Sequence, residues 1–181
     1  MNDKELFKKE LELRDLALFL AEYERITGIE TALVAKRERP DFEVYCGGRL
    51  FGLEATQSVE HPGEKFYRKL FGGPDGITIS AASDAAQYAI YQKETKRKST
   101  GWAHSESTIL VVHLKTYSGR EIFGYWDEQI LEELRATGFV EIWLCDHGPE
   151  KPYRTVELVG VKPALWEGVH RHSMYGSKPY G

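Results

Sequence analysis

The spacing of apolar positions divides the chain into helices and strands before any single residue needs interpreting. Over residues 3–26, Leu13, Leu16, Leu20, Tyr23 and Ile26 recur at three- and four-residue intervals. That spacing predicts an amphipathic helix, with Gly28 as its stop and Lys8, Lys9, Glu12 and Glu22 on its wet faces. Thr31–Lys36 is a short β-prone run. Residues 42–45 and 49–56 read as the two strands of a hairpin around Cys46-Gly47-Gly48, since paired glycines suit a turn that needs positive φ. Residues 57–76 form a Gly- and Pro-rich linker with a short helical piece at 64–71. Residues 77–98 read as a second long helix, with Ala85, Tyr88, Ala89 and Gln92 among its repeating positions. Thr108–Leu114 is a continuous apolar run, the mark of a strand buried on both faces. Residues 122–137 follow as a helix stopped by Gly138. Residues 140–145 read as another buried strand, 156–161 as an edge strand and 162–181 as irregular.

The order is helix, two or three strands, helix, strand, helix, strand. It predicts an α/β fold whose central mixed sheet begins as an antiparallel meander and continues through parallel crossovers, flanked by helices. At 181 residues, 41% hydrophobic and 29% charged, the chain suits a single domain over 1–181, with a core at about 6–145 and an irregular extension at 162–181. No repeat or low-complexity run interrupts it. No stretch reaches the roughly 18 apolar residues that cross a bilayer. Met1-Asn2-Asp3-Lys4-Glu5 lacks the order of a signal peptide, so the expectation is a cytoplasmic protein with no membrane contact. Cys46 and Cys145 offer neither a disulfide framework nor zinc spacing and are expected to be free thiols. The net charge of −4 argues against a strongly basic grip on nucleic acid. Residues 31–100, however, hold eleven basic and nine acidic side chains, a net of +2.

That middle part also carries the residues with candidate chemistry. Pro40 biases Arg39 to an extended conformation, which sets Asp41 at the start of a strand. Glu54 lies thirteen positions later on the returning strand, between Leu53 and Ala55. A carboxylate in so apolar a strand is costly unless it is paired or binds a cation. Two carboxylates on neighbouring strands make an oxygen site suited to Mg²⁺ or Mn²⁺, which can activate water and offset charge on a phosphodiester. The unremarkable readings are a strand-start cap for Asp41 and a buried pair with arginine for Glu54.

The pattern resembles the PD-(D/E)XK nuclease superfamily, with Pro40-Asp41 in the place of "PD" and Glu54-Ala55-Thr56 in that of "(D/E)XK". The resemblance covers about residues 6–114, and it implies a restriction-endonuclease-like core of helix, three-stranded meander, helix and strand. It implies Asp41 and Glu54 as metal ligands, and Thr56 and Gln57 as groups positioning water or substrate. The family's lysine falls at Thr56, which carries no positive charge. In the family that lysine is sometimes supplied from another element, and Lys36, Lys65, Arg68 and Lys69 are the candidates here. Gln87 and Tyr91 match the Q-x-x-x-Y of RecB-like members and are expected, with Lys36, Lys65 and Lys69, on the substrate side. The first helix adds a third acidic ligand in many members, and Glu24 is the candidate, with Glu10 and Glu22 as rivals.

Lys93, Lys96, Arg97 and Lys98 crowd the end of the second long helix, where they complement the helix dipole or face phosphate. His113, inside an apolar strand, reads as a core histidine with its hydrogen bonds satisfied, and His170-Arg171-His172 is not a zinc pattern. Trp166, Tyr175 and Tyr180 either pack on the domain or form a homodimer contact. The expected function is a metal-dependent endonuclease acting on DNA. The alternatives are an inactive nuclease-like fold that binds nucleic acid or protein, and a metal-dependent hydrolase of a small phosphorylated substrate.

Overall fold

The structure, a computed structural model, describes residues 3–59, 77–99, 101–114, 116–147 and 156–167. Over these residues it is an α/β fold with a six-stranded mixed sheet between two helical layers. The strands β1 (Thr31–Lys36), β2 (Phe42–Cys46), β3 (Arg49–Gln57), β4 (Thr108–Leu114), β5 (Glu141–Asp146) and β6 (Glu157–Lys162) lie side by side in chain order. The first three pair antiparallel, β3–β4 and β4–β5 are parallel, and β6 returns antiparallel along β5.

Helix α1 (Asp3–Thr27) covers one face. It buries Leu16, Phe19, Tyr23 and Ile26 against Phe42, Leu53, Ile109, Val111 and Trp143. The buried stripe differs from the expected one, because Phe19 is buried while Leu13 is exposed and Leu20 half-buried. The larger ring fills the space above the sheet. Gly28, at φ +69°, donates its N–H to Glu24 O at 2.8 Å and closes the helix as a C-terminal glycine does. Gly47 and Gly48, at φ +56° and +81°, make the β2–β3 turn.

The other face carries α2 (Ile79–Arg97), α3 (Gly119–Tyr125) and α4 (Glu128–Arg135). Ala82, Ala86, Ala89 and Ile90 of α2 are buried, whereas the expected repeat positions Tyr88 and Gln92 are exposed. Small side chains on the inner stripe let α2 lie close to the sheet. The single helix expected at 122–137 is two helices. Asp127 caps α4 through its side chain on the Ile130 N–H at 2.9 Å, an interaction that competes with helix continuation. Trp126 is thereby left extended, with its Nε1–H donating to Ser83 Oγ at 2.8 Å.

β4 is buried at every position: Leu110, Val112 and Leu114 meet the α2–α4 layer and Ile109 and Val111 meet α1. Each such aliphatic side chain contributes about 1.5–3 kcal/mol relative to exposure. Burial continues through β6 to Trp166, whose ring lies 5.8 Å from that of Trp143, so Trp166 packs on the sheet. Tyr175, Tyr180 and the helical piece expected at 64–71 lie outside the described residues. Among the described residues, no helix is long and apolar enough to cross a membrane.

Candidate functional site

The site begins where β2 stops short of β3. The last β2–β3 pair is Phe42 with Leu53, so Glu54–Gln57 continue along β4 alone. A backbone N–H left without a strand partner needs another acceptor. The Asp41 carboxylate supplies it: Oδ2 accepts the Ala55 N–H at 2.9 Å, and Glu54 Oε2 accepts the Asp41 N–H at 3.0 Å. The two acids thus interlock across the end of the hairpin. Gly52 makes this possible, because a Cβ there would lie 2.5 Å from Pro40 Cγ. Pro40 therefore lies directly against β3 and sets Asp41 beside Glu54.

Glu54 is buried, and Lys93 of α2 forms an ion pair with its Oε1. Burial, and then the Asp41 carboxylate, raise the Glu54 carboxyl above the ordinary carboxylate range, while Lys93 and the Asp41 N–H pull it down. Two carboxylates and one ammonium leave a net negative charge when all are ionised. Asp41 Oδ1 takes no part in these bonds, and a carboxylate has about four lone-pair directions. Oxygen donors are the kind that hard divalent cations take. A cavity of about 410 Å³ opens beside it, lined by Glu12 and Asp15 of α1 and by Asp41, Thr56, Gln57, Lys93 and His113. It lies toward the carboxyl ends of the parallel strands β3 and β4, where open α/β sheets place ligands.

Of the residues singled out in the sequence, Asp41, Glu54, Thr56 and Gln57 meet here. Glu24 does not. Its Oε1 accepts from the Thr31 N–H at 2.6 Å and from Thr31 Oγ1 at 2.7 Å, tying α1 to the start of β1 at the opposite end of the hairpin. The acids that α1 brings to the cavity are Glu12 and Asp15, about three and two and a half turns nearer its start. Glu22 pairs with Arg25 instead. Lys36 is held by Glu12 at 2.7 Å and lies over the Phe42 ring, while the cation on Glu54 is Lys93. Gln87 and Tyr91 are engaged elsewhere, Gln87 donating to Ser83 Oγ at 3.1 Å and Tyr91 to Glu133 of α4 at 2.9 Å. Lys65, Arg68 and Lys69 lie outside the described residues.

The residue that sequence reasoning missed is Lys93. In the sequence it belongs to the basic helix end, yet it follows Ala86, Ala89 and Ile90 at helical spacing and so continues the inner stripe. That spacing was the available signal. Arg97 and Lys98 instead pair with Glu94, and Arg97 also donates to Ser105 O at 2.6 Å, which makes them structural.

A second cluster adjoins the cavity. His113 Nδ1 lies 2.7 Å from His147 Nε2, and the Cys145 Sγ lies 3.6 Å from the same nitrogen. Burial, then His147, pull His113 down to about 4, so its ring is neutral at neutral pH. Cys46 is a different kind of thiol: burial, then Glu141, push it up to about 12, and it packs in the α1 core. No family model, no curated protein and no solved structure matches this chain.

Proposed function

We propose that this protein is a metal-dependent phosphodiester hydrolase on a restriction-endonuclease-like core, with DNA as its substrate. The observation that carries the reading is the interlocked pair Asp41–Glu54 with Lys93 on the buried carboxylate. Asp41 and Glu54 are the metal ligands, and Lys93 takes the part that the resemblance assigns to the strand lysine. When bound, Mg²⁺ or Mn²⁺ supplies an activated water and offsets charge on the scissile phosphate. Lys93 stands beside Glu54, where it stabilises charge developing on a phosphate oxygen. Thr56 and Gln57, at the end of β3, orient water or a phosphate oxygen from the cavity wall.

The test is a nicking assay on plasmid DNA with Mn²⁺, paired with calorimetric titration of Mn²⁺ into the protein. Glu54→Gln and Lys93→Met are expected to abolish cleavage, and Glu54→Gln to abolish Mn²⁺ binding. A folded protein that binds no Mn²⁺ and cuts neither DNA nor RNA would sink the proposal.

A second reading rests on a specific observation: both oxygens of Glu54 are already engaged, one by Lys93 and one by the Asp41 N–H. In that reading the trio is a structural ion pair, and the domain binds nucleic acid or protein without cutting. Binding that persists in chelator, with no cleavage, selects it.

A further inference from the structure

We infer that His113, Cys145 and His147 form a site for a zinc-class transition-metal ion, distinct in chemistry from the carboxylate cluster. The inference does not rest on the proposed hydrolase. It starts from strand register. His113 on β4 pairs directly with Cys145 on β5, so their side chains stand next to each other on the α1 face. His147 follows Cys145 by two positions, and side chains two apart along an extended chain point the same way. Two strands therefore deliver three nitrogen and sulfur donors to one point, and their ligand atoms all lie within 4.8 Å of one another.

The distances fit the ion. Tetrahedral zinc with nitrogen at about 2.05 Å and sulfur at about 2.3 Å separates those atoms by about 3.6 Å. The Cys145 Sγ–His147 Nε2 distance is 3.6 Å. The two nitrogens, now 2.7 Å apart across a hydrogen bond, need to part to about 3.4 Å. Half-buried His147, just past the end of β5, can make that adjustment. On binding, the proton between the rings moves to the other nitrogen of its own imidazole, and the thiol proton is released to solvent. Imidazole and thiolate favour zinc-class ions over Mg²⁺. His113 also lines the cavity, so the three donors adjoin it.

Cobalt(II) is the probe, titrated into the metal-free 181-residue chain and followed by absorption, with zinc as competitor. One equivalent is expected to give a thiolate-to-cobalt charge-transfer band that one equivalent of zinc removes. Cys145→Ser should abolish the band, whereas Cys46→Ala and Glu54→Gln should leave it. Because Cys145 is fully buried, circular dichroism checks that its variant folds. His147→Gln provides the second test. It should weaken cobalt binding by at least about tenfold, the loss typical of even a supporting partner. A saturated protein without the band, a band that survives Cys145→Ser, or an affinity unchanged in His147→Gln overturns the inference.

Discussion

Two polar clusters stand near one another in the same sheet, and they are assembled by opposite means. His113, Cys145 and His147 come together through regular register and alternation on β4 and the end of β5. Asp41, Glu54 and Lys93 come together where the sheet is irregular, in the gap that β2 leaves beside β3, with Lys93 reaching in from α2. The first needs only the ladder. The second needs the ladder to fail, a proline packed on a glycine, and a helix brought close by alanines. The difference also sorts the chemistry. The gap exposes backbone N–H groups that carboxylates satisfy, giving hard oxygen donors, while the intact ladder holds soft donors among apolar neighbours.

The largest effect expected from breaking this contrast is at Lys93. Lys93→Met leaves Glu54 buried without its counter-charge and should cost about 3–5 kcal/mol in urea unfolding at neutral pH. Adding Glu54→Gln should recover most of that loss. Equal loss in single and double variants would show that no buried ion pair is being broken. The pH dependence has a definite sign. Glu54 is already raised, and removing Lys93 takes away an influence that lowers it. A raised carboxyl favours folding below its unfolded value and loses that contribution as pH rises through its folded value. The Lys93→Met deficit should therefore shrink as pH falls toward the ordinary carboxylate range, of about 4.3 for glutamate, and grow above it.

Gly52→Ala should have the next largest effect. The added Cβ meets Pro40 Cγ, and such overpacking costs about 1–3 kcal/mol. Because Pro40 positions Asp41, Mn²⁺ affinity should fall in calorimetry while the cobalt band of the histidine–cysteine cluster persists. Loss of both would show that the two clusters are not separately built.

Glu24→Gln should be smaller still, about 1 kcal/mol or less in thermal or urea unfolding, since it weakens only the acceptor that ties α1 to Thr31. It should leave Mn²⁺ affinity unchanged, and a clear loss of that affinity would return Glu24 to the site. Tyr91→Phe removes one exposed hydrogen bond and should stay within about 0.5 kcal/mol, with cleavage unaffected.

Much of the architecture was legible in the residue pattern. The β-prone run 31–36, the Gly-Gly turn and the apolar run 108–114 signal backbone states that local sterics and burial on both faces impose. The split of the helix at Trp126-Asp127 was not, because an aspartate can cap a helix or sit on its surface, and only the Trp126–Ser83 contact decides which. Asp41 and Glu54 were legible as a pair because they share one hairpin. Glu24 and Tyr91 were misread because helical spacing says which residues share a face but not what that face meets. His113 is the buried, hydrogen-bonded histidine expected of an apolar strand, but its partner His147 was not legible because it lies more than thirty residues away.

The sequence by itself determined the elements, the hairpin and the presence of two acids near its open end. These follow from local backbone preference and apolar periodicity, which act over a few residues. Only the tertiary structure decided that Lys93 meets Glu54, that α1 brings Glu12 and Asp15 rather than Glu24, and that Cys145 stands beside His113. Those meetings depend on strand register and on how closely α2 approaches the sheet. Both are set by packing summed over the whole core rather than by any one stretch of chain.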